Sequence, residues 1–310
     1  MISFPHCKIN LGLDVLRKRP DGYHDIETVM FPVRDLCDSL EIIVPEEEKE
    51  ATELTESGLR TGCPPQENIV MKAWRLMHET YGIGNVRMHL HKAVPSGAGL
   101  GGGSADGAAA LRMLDTLFSV GAGIRRLEAL ALKLGSDVPF FLHDAPQLCS
   151  GRGEVMRPAE INLKGYWMVL VKPAICIPTA EAYAGITPRI PEEPLAKRLS
   201  RPIATWRDNL PNAFETSLFR KHPELSAIKR SLYDAGALYA SMSGSGSAIF
   251  GLFDTRPEYE TGTGIWHLQL WCRRPRGKVE PDPKNHACNP IKTRRGLPVG
   301  ENNVYLCPVE

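Results

Sequence analysis

The run Pro95-Ser96-Gly97-Ala98-Gly99-Leu100-Gly101-Gly102-Gly103-Ser104-Ala105-Asp106 leads directly into Gly107-Ala108-Ala109-Ala110-Leu111-Arg112-Met113-Leu114. Five of the seven residues from Gly97 to Gly103 are glycine. Glycine adds no packing surface and loses more backbone freedom on folding than any other residue, so such a run belongs where backbone must approach something closely. Set before an Ala- and Leu-rich helix, it offers amide N–H groups and the positive end of the helix dipole to an anion such as a nucleotide phosphate.

The neighbouring residues separate the kinds of loop this could be. Gly97, Gly99 and Gly102 fit the dinucleotide spacing, but the preceding strand, Val86-Arg87-Met88-His89-Leu90-His91, alternates apolar with polar residues. A doubly wound sheet takes continuously apolar strands. About 20 residues on, Gly121-Ala122-Gly123-Ile124-Arg125 offers no acidic group for a ribose. A Walker A loop is excluded as well, because Gly102 is followed by Gly103-Ser104 and not by lysine. A flexible linker does not lead into a helix carrying Leu111, Leu114 and Leu117.

Elsewhere the residue pattern leaves alternatives open. Ile9, Leu11, Leu13 and Val15 alternate as in a half-buried strand, which puts Lys8 and Asn10 together on the other face. From spacing alone that lysine is most simply solvated. Pro20-Asp21-Gly22 is turn chemistry that presents Tyr23 and His24, either as a hairpin tip or as a stacking and hydrogen-bonding pair for a base. A strand is expected from Asp35 to Val44, then a solvated acidic loop, then a helix starting after Asn68 and another from Leu127 to Leu134 ended by Gly135. Asp137 lies between glycine and the apolar run Val138-Pro139-Phe140-Phe141, either as a helix N-cap or as a functional carboxylate. Trp167 to Val171 reads as a buried strand, Pro223 to Ala235 as a helix, and Ser241 to Ala248 as a second small-residue loop before a strand from Ile249 to Phe253.

The pattern Pro-x-x-x-Gly-Leu-Gly-x-x-Ser-Ala, from Pro95 to Ala105, is similar to the central motif of the GHMP kinases. The resemblance spans roughly residues 3 to 254 through further motifs in order: Lys8-Ile9-Asn10-Leu11, Arg19-Pro20-Asp21-Gly22-Tyr23-His24, Gly135-Ser136-Asp137-Val138-Pro139-Phe140-Phe141 and Met242-Ser243-Gly244-Ser245-Gly246-Ser247. It implies an α+β, two-domain GHMP kinase architecture with the active site in the inter-domain cleft. The implied domains are residues 1–155, which bind ATP, and 156–256, followed by a divergent tail over 257–310. It implies Lys8 and Asp137 as catalytic residues, with Lys8 beside the aspartate to offset developing charge. Pro95, Ser96, Gly97, Ala98, Gly99, Leu100, Gly101, Gly102, Gly103, Ser104 and Ala105 would cradle the phosphates of ATP, with Mg²⁺ carried by the nucleotide and no residue standing out as its ligand. Asn10, Tyr23, His24 and Tyr183 would bind the acceptor, the two tyrosines facing each other across a cytosine. That last set fits the branch of the family whose acceptor is a cytidine diphosphate-linked methylerythritol. Asn212-Ala213-Phe214-Glu215 departs from the branch's Asn-Asp-Leu-Glu at its second residue.

A formal net charge of +1 over 310 residues gives no bulk attraction to nucleic acid or to an anionic membrane, so neither is expected as a partner. No charged segment before an apolar core opens the chain, which suits a cytoplasmic monomer or homodimer. The 8 cysteines include no Cys-x-x-Cys pair and are expected as free thiols, with no metal site. In the tail, the basic run Arg273–Lys278 and the set Cys272, His286, Cys288 and Cys307 lack the spacing of an RNA-binding arm or a zinc site.

Overall fold

In a computed structural model the chain is described over residues 1–46, 51–260 and 266–271. The strands are β1 (Ile2–Ser3), β2 (His6–Lys18), β3 (His24–Cys37), β4 (Ser39–Ile43), β5 (Glu53–Gly58), β6 (Arg87–Lys92), β7 (Gln147–Gly151), β8 (Val155–Pro158), β9 (Trp167–Lys172), β10 (Tyr239–Met242), β11 (Ile249–Phe253) and β12 (Trp266–Trp271). The helices are α1 (Ile69–Tyr81), α2 (Gly102–Leu117), α3 (Ile124–Leu134), α4 (Thr179–Ala184), α5 (Leu195–Leu199), α6 (Trp206–Asn209), α7 (Glu215–Lys221) and α8 (Pro223–Asp234). The strands form three four-stranded sheets, ordered β1-β4-β6-β5, β2-β3-β7-β8 and β10-β11-β9-β12.

Three apolar clusters hold these layers together. Under α1, α2 and α3, residues such as Leu40, Ile42, Met77, Leu90, Leu111, Leu114 and Phe140 close the first sheet. A second cluster joins the two halves, packing Cys7, Ile9 and Leu11 of β2 against Met168, Leu170, Tyr239 and Phe250. A third takes Leu13 and Val15 against Val169, Val171, Phe214 and Leu218. Strand β2 is therefore covered on both faces, and the expectation of a half-buried strand is corrected: Lys8 and Asn10 are each only 3% exposed. Both side chains line a cavity shared with Thr179, Tyr183, Phe214 and Ser245 of the second half. β2 carries a register shift between Leu11 and Leu13, with Gly12 at φ +64° and room for no Cβ, since one would meet Leu210 at 2.7 Å.

Local chemistry explains the helix ends. The Asn68 side chain accepts a hydrogen bond from the Val70 N–H at 2.9 Å to start α1, and Gly82 ends it in the left-handed conformation. Gly135 ends α3 as expected, although the helix begins earlier, at Ile124. Helix α2 begins inside the glycine run, at Gly102.

The strand expected from Asp35 to Val44 is in fact the end of β3 and the whole of β4, separated at Asp38. β3 contains Pro32, which sits opposite Lys8. β7 pairs β3 only from Ile26 to Met30, so the proline lies beyond the last β7 rung, where its missing N–H breaks no ladder. The tail expectation also changes. Trp266–Trp271 adds to the edge of the third sheet, antiparallel to β9, with Trp266 opposite Lys172 and Trp271 opposite Trp167. The alternation Trp-His-Leu-Gln-Leu-Trp suits a strand, and β9 offers its open edge there. The basic run Arg273–Lys278 and Cys272, His286, Cys288 and Cys307 lie outside the described residues. No helix among the described residues is long and apolar enough to cross a membrane.

Candidate active site

The glycine loop is fixed on both sides before it reaches its helix. The Lys8 N–H donates to the Leu100 carbonyl at 2.9 Å, tying the loop to β2, and the Ala248 N–H donates to the Ala98 carbonyl at 3.0 Å. The Ser243 hydroxyl donates to the Gly99 carbonyl at 2.8 Å. Gly99 has φ +75°, and a Cβ there would stand 2.0 Å from the Ser243 carbonyl oxygen, so close approach to the 243–247 loop requires glycine. Gly103 is different, because a Cβ there would meet nothing within 4 Å. The first intrahelical bond of α2 runs from the Ala105 N–H to the Gly101 carbonyl, leaving the preceding amides of the turn to an outside acceptor.

These amides face a cavity of about 510 Å³ lined by Pro95, Ser96, Gly97, Ala98, Gly99, Gly101, Gly102, Gly103 and Ser104. Leu100 and Ala105 belong to the expected set but are turned into the core, 1% and 2% exposed. The same cavity is lined by Thr61, Cys63, Glu67, Asn68, Ile69 and Lys92, of which only Asn68 stood out in the sequence, as a helix start.

Beneath the loop lies a buried ionic cluster. The Lys92 ammonium pairs with Asp38 and, at 2.7 Å, with Asp106; all three residues are 1% exposed. Asp38 Oδ1 also accepts from the Ala93 and Val94 N–H groups at 2.6 and 2.8 Å, which sets the direction in which the chain enters the loop. Burial pushes the Asp106 carboxyl well above the ordinary carboxylate range against the pull of Lys92. Burial also opposes the charge on Lys92, but its two carboxylates outweigh that and hold the ammonium charged. Two carboxylates around one cation cannot both ionise cheaply away from water, so Asp106 carries the strain of the cluster.

A second cavity, of about 470 Å³, opens on the other side. Lys8, Asn10, Tyr23, His24 and Tyr183 all line it, so the structure brings together the expected acceptor residues. Lys8 Nζ donates to Asn10 Oδ1 at 2.6 Å, while the Asn10 amide donates to the Thr28 hydroxyl at 3.1 Å, which locks the lysine in place. The ring lying flat on Tyr183 is His24, with centroids 4.8 Å apart and planes at 23°. Tyr23 is 55% exposed and has the guanidinium of Arg152 over its face. The His24–Tyr183 stack is braced by Phe214, whose ring meets Tyr183 edge-on at 4.9 Å. Burial pushes the Tyr183 hydroxyl up from its ordinary range.

Asp137 lines both cavities, as do Gly99, Thr179 and Ser245. It precedes a short 3₁₀ turn, Val138–Leu142, but its side chain caps nothing there. Its carboxylate is instead turned toward Lys8, with Oδ2 3.5 Å from Nζ and the side chain 34% exposed. The capping alternative is thereby disfavoured, because a capping carboxylate bonds the amides of its own turn.

The GHMP kinases N terminal domain model matches residues 68–145 and the GHMP kinases C terminal model matches 195–260. A 4-diphosphocytidyl-2-C-methyl-D-erythritol kinase from Bacteroides thetaiotaomicron is 43% identical over 269 residues, covering 86% of this chain and 98% of the relative. This chain belongs to the 4-diphosphocytidyl-2-C-methyl-D-erythritol kinase family. A crystal structure of a 4-(cytidine 5'-diphospho)-2C-methyl-D-erythritol kinase superposes with a TM-score of 0.69 at 34% identity, covering 81% of this chain and 90% of that one. A homoserine kinase from Cytophaga hutchinsonii, at 18% identity and a TM-score of 0.60, shares the two-domain fold. As a GHMP kinase of the 4-diphosphocytidyl-2-C-methyl-D-erythritol kinase family the chain is an ATP-dependent enzyme acting on a small molecule. The stretch matched by the N-terminal model contains the whole glycine loop and Asp137, and the stretch matched by the C-terminal model contains the 243–247 loop that packs on Gly99.

Proposed function

We propose that this enzyme transfers the γ-phosphoryl group of ATP to the 2-hydroxyl of 4-diphosphocytidyl-2-C-methyl-D-erythritol, a step of non-mevalonate isoprenoid synthesis. The observation that carries this reading is the position of Asp137 in the wall common to both cavities, 3.5 Å from Lys8. A group that takes a proton from the acceptor hydroxyl, or orients it, must stand where acceptor and γ-phosphate meet. Lys8, held by Asn10, offsets the negative charge that builds on the transferring oxygens. The amides of the glycine loop and the positive end of α2 bind the phosphates. Tyr23, His24 and Tyr183 take the cytosine by stacking and edge hydrogen bonds.

ATP chemistry calls for Mg²⁺, and the described residues contain no group of three or more His, Cys, Asp or Glu side chains that could hold a metal. That suits a Mg²⁺ carried on phosphate oxygens and water, which needs only one or two protein carboxylates. Of the carboxylates lining the nucleotide cavity, Asp106 is a poor candidate because Lys92 already stands against it, which leaves Glu67 and Asp137 as the side chains that could reach the ion. When bound, Mg²⁺ neutralises phosphate charge.

The nucleotide side falls to residues 1–155, supported by a core drawn mainly from Met30 to Cys149, and the acceptor side is completed by residues 156–256. The test is ADP release with the diphosphocytidyl alcohol beside galactose, homoserine and mevalonate. Turnover with the first alone is expected, and turnover with any other at a comparable kcat/KM contradicts the substrate assignment.

A further inference from the structure

The acceptor cavity holds a cation that the phosphoryl-transfer groups do not use. Arg152 sits in the turn between β7 and β8, lines the cavity, and places its guanidinium carbon 4.9 Å from the centre of the Tyr23 ring. Its side chain is 31% exposed, and its Nε is 3.5 Å from a carboxylate oxygen of Glu154. The terminal N–H groups carry no ion pair among the described residues. Lys8, by contrast, is committed to Asn10 and Asp137. Two carboxylates lie close enough to compete for Arg152: Glu154, and Asp21, whose carboxyl is held below its usual range, against partial desolvation, by the Tyr23 N–H and Arg19 and least by this arginine.

The position of Arg152 along the cavity is what gives it a role. On one side of it stands the aromatic group of Tyr23, His24 and Tyr183. On the other, its neighbour Gly153 runs past the transfer site, where a Cβ would be 3.9 Å from Asp137 Oδ1. An acceptor with a base at one end and a reacting hydroxyl at the other has its diphosphate between them. A planar guanidinium fork, oriented by stacking on tyrosine, matches phosphate oxygens in shape and charge.

We propose that Arg152 binds the diphosphate of the acceptor and makes the cavity prefer a cytidine diphosphate over the free nucleoside. This rests on the cavity being the cytidine site. The test is equilibrium titration of the full chain with cytidine and with cytidine diphosphate, the nucleotide cavity being filled by a non-hydrolysable ATP analogue. Wild type is expected to favour the diphosphate by about tenfold or more, and Arg152→Gln to reduce that ratio to about threefold or less, the loss falling mainly on the diphosphate. A merely structural arginine would shift both ligands together. Arg152→Lys, which keeps charge without the fork, is expected to fall between. Raising salt from about 0.02 to 0.5 M should narrow the wild-type ratio, which keeps the idea testable if a variant fails to fold. An unchanged ratio in folded Arg152→Gln, or a wild-type ratio indifferent to salt, overturns the role of Arg152 alone. Failure of wild type to bind cytidine at all overturns the base-site reading, and this inference with it.

Discussion

Lys8 Nζ lies 3.5 Å from Asp137 Oδ2 although the two residues come from opposite ends of the first half of the chain, one on β2 and the other at the turn after α3. Lys8 is also 2.6 Å from Asn10 Oδ1, so the ammonium is held between an amide oxygen and a carboxylate that faces both cavities. In the proposed reaction a buried cation in that place would act on charge that develops during transfer more than on ground-state binding.

Lys8→Ala is therefore expected to lower kcat by about 10²-fold or more while leaving ATP affinity within a few-fold. Steady-state kinetics with an equilibrium ATP titration checks this. A loss confined to KM for ATP would move Lys8 from the transfer step to nucleotide binding.

The glycines of the loop should separate by their surroundings. Gly99→Ala forces a Cβ against the Ser243 carbonyl at a positive φ and should destabilise the fold by about 1–3 kcal/mol. Gly103→Ala has open space and a helical position, so stability should hold or rise by about 0.5–1 kcal/mol, while ATP binding weakens because the methyl enters the cavity. Urea unfolding of both variants, with ATP titrations, decides between these assignments; equal destabilisation would mean that packing does not set them apart.

Tyr183→Ala should weaken acceptor binding by roughly 1–3 kcal/mol if the ring stacks on a base, and Tyr23→Ala by a similar amount. His24 would then read the edge of the base, so its replacement should relax preference for cytidine over uridine. Binding measurements with both nucleotides test this, and unchanged affinity in both tyrosine variants would remove the stacking argument.

The buried cluster under the loop gives a pH signature. Asp106 has a raised carboxyl pKa in the fold, so its contribution to stability is fully present below about 3.8, the ordinary value, and is lost as pH rises through the raised one. Asp106→Asn removes that titration. The stability of wild type minus that of the variant should fall from pH 4 toward neutrality, and a flat difference would show that the carboxyl titrates normally. Lys92→Met leaves two buried carboxylates together and should cost about 3–5 kcal/mol.

The motifs that were legible in the sequence are those in which neighbouring residues carry the geometry. Asn68 before an apolar helix, Gly135 after one, and glycines ahead of Ala108 to Leu114 each encode a local event. Asp137 could be placed only by resemblance, because its partner Lys8 is far off in the chain. The same distance hid the Lys92 cluster and the stacking of Arg152 on Tyr23, which need β4, β6 and α2, or β3 and β7, to be assembled first. Strand β5, Glu-Leu-Thr-Glu-Ser-Gly, has almost no apolar signal and exists because β6 presents a free edge to it. Strand β12 was missed amid the Pro- and Arg-rich residues that follow it.

The most direct test of the central claim is transfer of labelled γ-phosphate from ATP to 4-diphosphocytidyl-2-C-methyl-D-erythritol, measured in parallel for wild type and Asp137→Asn, with ATP affinity determined for both. Wild type should label the acceptor, and the variant should lose about 10²- to 10⁴-fold in rate with ATP affinity nearly unchanged. Labelling by Asp137→Asn at the wild-type rate, or no labelling of this acceptor by wild type, would contradict the account.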